Sequence, residues 1–114
     1  MKLSEEMFKK HPAIEIKKGV FRSFVYTKNL MLAIIDFTNG PWEEPETPHS
    51  HVHEQVSYVA EGEIIFYCEN QPDQHLKAGD VYAVPSGKKH TVKLLTKKVR
   101  LVDSFNPVRE DFLN

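Results

Sequence analysis

Three of the six histidines fall in one short run, His49-Ser50-His51-Val52-His53-Glu54-Gln55. A fourth, His90, ends a second run that opens at Gly79 and passes through Pro85 and Gly87. Neutral imidazole suits divalent metals, and a remote ligand lets a fold close around an ion. The bland alternative is a polar, pH-sensitive surface loop. Alternation along a strand would put His49, His51, His53 and Gln55 on one face. At about 3.3 Å of rise per residue, however, His49 and Gln55 would then stand roughly 20 Å apart. Metal bonds of about 2 Å cannot span that distance. The run must therefore bend, and one candidate must drop out. Spacing alone leaves open which: the alternative to Gln55 is His53, with the amide then hydrogen-bonding across strands.

A second constellation lies on the segment Val99–Phe105, where Val99, Leu101, Asp103 and Phe105 share one face. The apolar members mark that face as interior. An inward carboxylate is costly unless it is paired, beside a metal or catalytic. Arg109 is a natural partner, so an Asp103–Arg109 bridge tying the tail down stands beside the functional reading. Phe105 by itself reads as core.

The elements that must carry these residues are β throughout. Strands are predicted at Ala13–Lys17, Val20–Tyr26, Leu30–Phe37, Val56–Ala60, Glu63–Cys68, Asp80–Val84, His90–Leu95 and Val99–Phe105. Turn signals such as Lys18-Gly19, Glu61-Gly62 and Asn70-Gln71-Pro72-Asp73 separate them. Many short strands at near-regular spacing imply an all-β sandwich or barrel with antiparallel pairing. Short helical turns are expected at both ends, one capped by Ser4 and one opening at Asn106-Pro107. The irregular stretch Asn39–Pro48 is a rim over the histidine run or a plain crossing loop. Its Trp42 either stacks on a substrate or, more commonly, pins the loop to the core.

With 114 residues the chain is read as one domain, 1–114. A formal net charge of -1 gives no ground for a nucleic-acid partner or a membrane surface. Cys68 is the single cysteine, so no internal disulfide forms and a cytoplasmic location is expected. Met1–Glu6 lacks the apolar core of a signal peptide, and no apolar run is long enough to span a bilayer.

The two runs resemble the paired motifs of the cupin superfamily. There, His-x-His is followed after three or four residues by Glu and six residues later by Gly. This chain has His49-x-His51, three residues, Gln55, six residues and Gly62. The second motif, Gly, five residues, Pro-x-Gly, two residues, His, is matched by Gly79, Pro85, Gly87 and His90. The resemblance implies a single-domain cupin, a double-stranded β-helix or jelly-roll barrel. It also implies one divalent ion (Zn, Ni, Mn, Fe or Co) on His49, His51, Gln55 and His90, with His53 a neighbour. Two departures stand outside the ligand set: the glycine opening the first motif is displaced to Gly40, and Leu94 replaces a frequent asparagine. Gln55 in place of Glu leaves the ion its full double charge, favouring anionic substrates while weakening the metal site somewhat.

The histidine run together with the tail Asp103-x-Phe105-x-Pro107-x-Arg109-Glu110-Asp111-Phe112-Leu113 is similar to the cupins of pectin and alginate breakdown that linearise unsaturated monouronates. That resemblance implies a small anionic sugar as substrate. It makes Asp103 the general acid/base, Arg109 the carboxylate clamp and Phe105 an apolar wall. An iron dioxygenase of a small organic acid or thiol, and a non-catalytic sugar- or metal-binding module, are the alternatives. A homodimer through the apolar N-terminal strands is expected.

Overall fold

The structure is a computed structural model that describes residues 6–113. Nine strands follow one another: β1 (His11–Lys17), β2 (Val20–Tyr26), β3 (Met31–Phe37), β4 (Glu54–Glu61), β5 (Glu63–Cys68), β6 (Gln74–Lys77), β7 (Val81–Val84), β8 (His90–Leu94) and β9 (Val99–Asn106). A 3-10 helix, Glu110–Leu113, follows β9. Six strands form an antiparallel sheet in the order β1-β2-β3-β9-β4-β7, and three form another, β6-β5-β8. The all-β, antiparallel expectation is met. The barrel is not drawn closed by one continuous ladder. Two ladders stand apart, with an isolated antiparallel bridge between His49 and His90 at the site.

Period-two alternation builds the core between the sheets. On β4, Gln55, Ser57 and Val59 are buried while Val56 and Tyr58 are exposed. Ile64, Phe66 and Cys68 of β5 meet Val59, Val84, Val99 and Leu101 of the larger sheet in one apolar cluster. Register then arranges the inner face of that sheet in rows. One row reads Tyr26, Met31, Phe105, Gln55, Val84, and the next Phe24, Ala33, Asp103, Ser57, Tyr82. Because a strand pleats with period two, fixing Phe105 inward fixes Asp103 and Leu101 inward as well.

Strand bounds differ from expectation where backbone hydrogen bonds outrank side-chain pattern. β1 starts at His11 and includes Pro12, tolerated because β1 is an edge strand. β3 starts at Met31, since Thr27 N–H donates to Leu30 O at 2.8 Å and closes the turn before it. β6 was not expected: Gln74-His75-Leu76-Lys77 shows only Leu76 as an inward apolar residue, too short a run to display alternation. β7 starts at Val81 because the Asp80 carboxylate accepts from Lys77 N–H at 2.8 Å, holding the preceding turn. Asn106 stays in β9 opposite Glu54, so it does not cap a helix, and the tail turns helical only at Glu110. Of the N-terminal turn, Ser4 and Glu5 lie outside the described residues. Glu6 is helical and is followed by a turn at Met7 and Phe8.

Trp42 settles as an anchor. Its backbone N–H donates to Leu94 O at 3.0 Å, and its ring meets Phe37 edge-on with centroids 5.6 Å apart. The loop before the histidine run is therefore tied to the core at one end. Gly40 lies so close to the chain that an added Cβ would sit 2.0 Å from Thr96 O. Gly62, which closes the first motif, has φ +85° and a Cβ there would lie 2.3 Å from Lys98 O. Both backbone conformation and space thus exclude a side chain at Gly62. Gly62→Ala is expected to destabilise the fold by about 1–3 kcal/mol, the usual cost of strained backbone. Denaturant titration measures it, and an unchanged midpoint would refute the close approach.

Candidate metal centre

The bend required of the histidine run lies between His49 and β4. His49 pairs with His90 through two backbone bonds, His49 N–H to His90 O at 3.0 Å and His90 N–H to His49 O at 2.9 Å. The chain then leaves extended geometry, bends at Val52 and His53, and enters β4 at Glu54. The turn of the second motif holds that bend. Gly87 N–H donates to His51 O at 2.8 Å, and the Ser86 hydroxyl donates to Val52 O at 2.6 Å. The two motifs are thereby joined by backbone pairing on both sides of the site.

The rings converge as a result. Centroids of His49 and His90 lie 4.4 Å apart, those of His51 and His90 4.9 Å, and those of His49 and His51 5.8 Å. One nitrogen from each of the three lies within 4.8 Å of the others. Tautomers follow from their outer bonds. His51 Nδ1 sits 2.9 Å from His53 O and His90 Nδ1 sits 2.9 Å from Lys88 O, so each Nδ1–H donates to a carbonyl. That leaves both Nε2 atoms with a free lone pair, the arrangement a metal-ligating histidine adopts. Burial also keeps the imidazoles neutral. It is the main cause lowering the pKa of His49 and His51, with the positive charge of Arg109 second, and it takes His90 down to about 4.

Gln55 is oriented by a chain of bonds. Its Nε2 donates to Ser57 Oγ at 2.9 Å, and the Ser57 hydroxyl donates to Asp103 Oδ1 at 2.6 Å. The amide nitrogen is thus committed, and Oε1 faces the histidines, 3.2 Å from His51 Nε2. Two lone-pair atoms facing each other across a short gap favour a cation between them. The donor set fits one divalent ion on this ground. His53 stands apart: it is not one of the three clustered histidines, its ring lies 5.5 Å from that of His51, and its buried Nδ1 has no partner among the described residues.

A cavity of about 170 Å³ opens beside these groups, lined by His49, Gln55, His90, Asp103 and Phe105 among others. Asp103 is raised to about 6, chiefly by burial, partly offset by the Ser57 hydrogen bond and by Arg109. A carboxyl with that value exchanges a proton near neutral pH. Tyr82, also on the cavity wall, has its phenol pushed up by burial and by Asp103, and stays protonated.

Arg109 finds its partner within the tail, so the alternative of a bridge to Asp103 is not what forms. Its Nε and Nη2 donate to both carboxylate oxygens of Asp111, at 3.0 and 2.8 Å. The tail turns at Glu110–Leu113, which presents Asp111 to it at a separation of two residues. Arg109 is not among the cavity-lining residues but lies over the ring of Phe105, 5.1 Å from its centroid. Ser57, Tyr82 and Glu46 escaped the sequence reading. Alternation from Gln55 could have signalled Ser57, and the buried face of β7 could have signalled Tyr82. Glu46 lines the cavity with Thr47, and its carbonyl accepts from the Thr91 hydroxyl at 2.8 Å, so the Asn39–Pro48 loop does form a rim.

Paired histidine motifs at the mouth of a two-sheet β domain define a class, and comparison agrees with it. The chain belongs to the cupin domain family, whose pattern matches residues 36–105. It is 34% identical over 104 residues to the pectin degradation protein KdgF of Dickeya dadantii (strain 3937), covering 90% of this chain and 91% of that one. An RmlC-like cupin from Shewanella frigidimarina NCIMB 400 matches with a TM-score of 0.78 and 35% identity, over 90% of this chain and 88% of that one. KdgF from Halomonas sp. matches with a TM-score of 0.77 and 29% identity, over 90% of this chain and 93% of that one.

Elemental analysis tests the ligand set. His51→Ala and His90→Ala should lose the metal, while His53→Ala retains it. Full occupancy in His90→Ala would sink the assignment.

Proposed function

We propose that residues 1–114 form one cupin domain acting as a metal-dependent enzyme that converts a 4,5-unsaturated uronate, derived from pectin or alginate, to its linear keto form. The observation that carries this reading is Asp103, a buried carboxyl raised to about 6 that lines one cavity with His49, Gln55 and His90. Kinship with a protein of pectin degradation supports the substrate class.

The conversion is an isomerisation in which atoms balance without a co-reactant. The anomeric hydroxyl loses a proton as the bond from C1 to the ring oxygen breaks, and C4 gains a proton as C5 becomes a ketone. Asp103 is assigned that proton traffic, taking it from the hydroxyl and returning it at C4. Ser57 holds one Asp103 oxygen in place, and Phe105 gives the ring an apolar wall. Arg109, stacked against Phe105, is assigned the substrate carboxylate through its two-pronged fork. A divalent ion (Zn, Ni, Mn, Fe or Co) held by His49, His51, Gln55 and His90 would supply Lewis acidity toward the sugar's oxygens.

A cytoplasmic location is supported by the lone Cys68, buried and with its thiol pushed up by burial, which suits a compartment without disulfide chemistry. Among the described residues, no helix is long and apolar enough to cross a membrane. A homodimer is supported by the outer face of the larger sheet. Val25, Leu32, Val56, Tyr58 and Val81 are exposed there, and register sets Val25 beside Leu32 and Tyr58 beside Val81.

Asp103→Asn keeps shape and hydrogen-bonding atoms, so the fold should persist while turnover falls about two to four orders of magnitude. Arg109→Ala should act mainly on KM. Thermal melting beside an assay following loss of the ring double bond separates these effects. Wild-type turnover in Asp103→Asn would return the residue to a structural role.

Light scattering tests the dimer. The wild type should show twice the chain mass, and Tyr58→Glu, which places a charge on the apolar face, should shift it to the monomer. A monomeric wild type would overturn that reading.

A further inference from the structure

The fork assigned to the substrate carboxylate is already filled. Asp111 offers Arg109 the same planar, two-oxygen partner that a uronate would, with both prongs engaged at 3.0 and 2.8 Å. Arg109 is enclosed, its side chain 13% exposed, whereas Asp111 is 59% exposed and free to move away. A second arginine stands close by. Arg22 projects from β2, its guanidinium 3.9 Å from the centroid of Phe112, while that of Arg109 lies 4.5 Å from the same ring. Two guanidiniums thus share one aromatic ring, and the residue joined to it in sequence, Asp111, carries the carboxylate. Arg22 Nε is buried and, among the described residues, has no hydrogen-bond partner, an uncommon state for a buried donor. Burial lowers the pKa of Arg22, and the nearby Asp111 carboxylate partly offsets that loss.

We infer that Asp111 is an internal competitor for the substrate carboxylate on Arg109, and that Arg22 is the alternate partner that receives Asp111 when substrate takes its place. The inference rests on the proposed reading of Arg109 as the substrate's carboxylate clamp. Without substrate, the exchange is unfavourable, because Arg109 gives Asp111 two charge-assisted bonds. With substrate, Arg109 keeps an equivalent carboxylate, and the Asp111 charge is not left unpaired because Arg22 Nε becomes satisfied. Phe112 moves little, since both guanidiniums already pack on it. The arrangement selects for ligands that bring a carboxylate: a neutral sugar cannot displace Asp111. Asp111 and Arg22 are positioning residues, acting on substrate through Arg109.

The metal-loaded enzyme and a 4,5-unsaturated uronate test this by steady-state kinetics. Asp111→Asn should lower KM about two- to fivefold with little change in kcat, the size of one partly exposed ion pair. Arg22→Lys keeps the charge and the stem but removes Nε, and it should raise KM by a similar factor. The double variant should match Asp111→Asn alone, because Arg22 has no role once its carboxylate is gone. An unchanged or raised KM in Asp111→Asn overturns the inference. So does an unchanged KM in Arg22→Lys, or a double variant in which the two effects simply multiply, since Arg22 would then act only through its field. Melting curves confirm folding, and the exposed Asp111 site gives a variant independent of packing at Arg22. A wild type with no turnover of the uronate overturns the functional reading itself, and this inference with it. An active wild type with unresponsive variants overturns the inference alone.

Discussion

The antiparallel bridge between His49 and His90 is the constraint on which the site depends. It consists of two reciprocal backbone hydrogen bonds between a loop residue and the first residue of β8. Residues paired in this way have Cα atoms about 5.5 Å apart, which places their side chains side by side. The convergence of imidazoles therefore needs no attraction between the rings. Repulsion among their facing lone pairs is overcome by main-chain pairing, by Gly87 and Ser86 bonding to the carbonyls of His51 and Val52, and by Trp42 anchoring the loop upstream.

Gln55, Ser57 and Asp103 form the second tier. They lie on adjacent inner-face rows of β4 and β9, so register alone brings Ser57 opposite Asp103. The chain of bonds does two things at once. It turns the Gln55 amide oxygen toward the histidines, and it holds one oxygen of a carboxyl that burial has raised to about 6. A candidate ligand and a candidate proton carrier are therefore mechanically coupled. Replacing Gln55 by a carboxylate would put a second acid beside Asp103 and raise the cost of ionising either.

The tail adds a third tier built on aromatic rings. Phe105 packs edge-on against His51 with centroids 5.9 Å apart and against Phe112 at 5.7 Å. Arg109 lies against both phenylalanines, and Arg22 against Phe112 from β2. Cations stacked on ring faces keep their charge while losing water, which strengthens the pairing of Arg109 with a carboxylate such as that of Asp111. The last strand and the tail thus connect the interior site to the surface without a long lid.

Much of this was legible in the chain. Alternation and turn signals identified eight of the strands, most of which bury one face although β1 buries none, and the inward side of Val99–Phe105 followed from the apolar partners of Asp103. The spacing of the histidines required a bend, and the motif resemblance singled out His49, His51, Gln55 and His90. Short-range pattern could not reveal β6, whose stability comes from pairing with β5 rather than from its own apolar residues. Nor could it assign Arg109 a partner, since Asp103 and Asp111 are both within reach along the chain. Three-dimensional placement chose Asp111, because the 3-10 turn presents it while Ser57 occupies Asp103. Residue types and periodicity thus determined what chemistry is available and which face carries it. Register and backbone pairing between distant segments decided which groups meet, because hydrogen bonds across strands join residues that no local spacing relates.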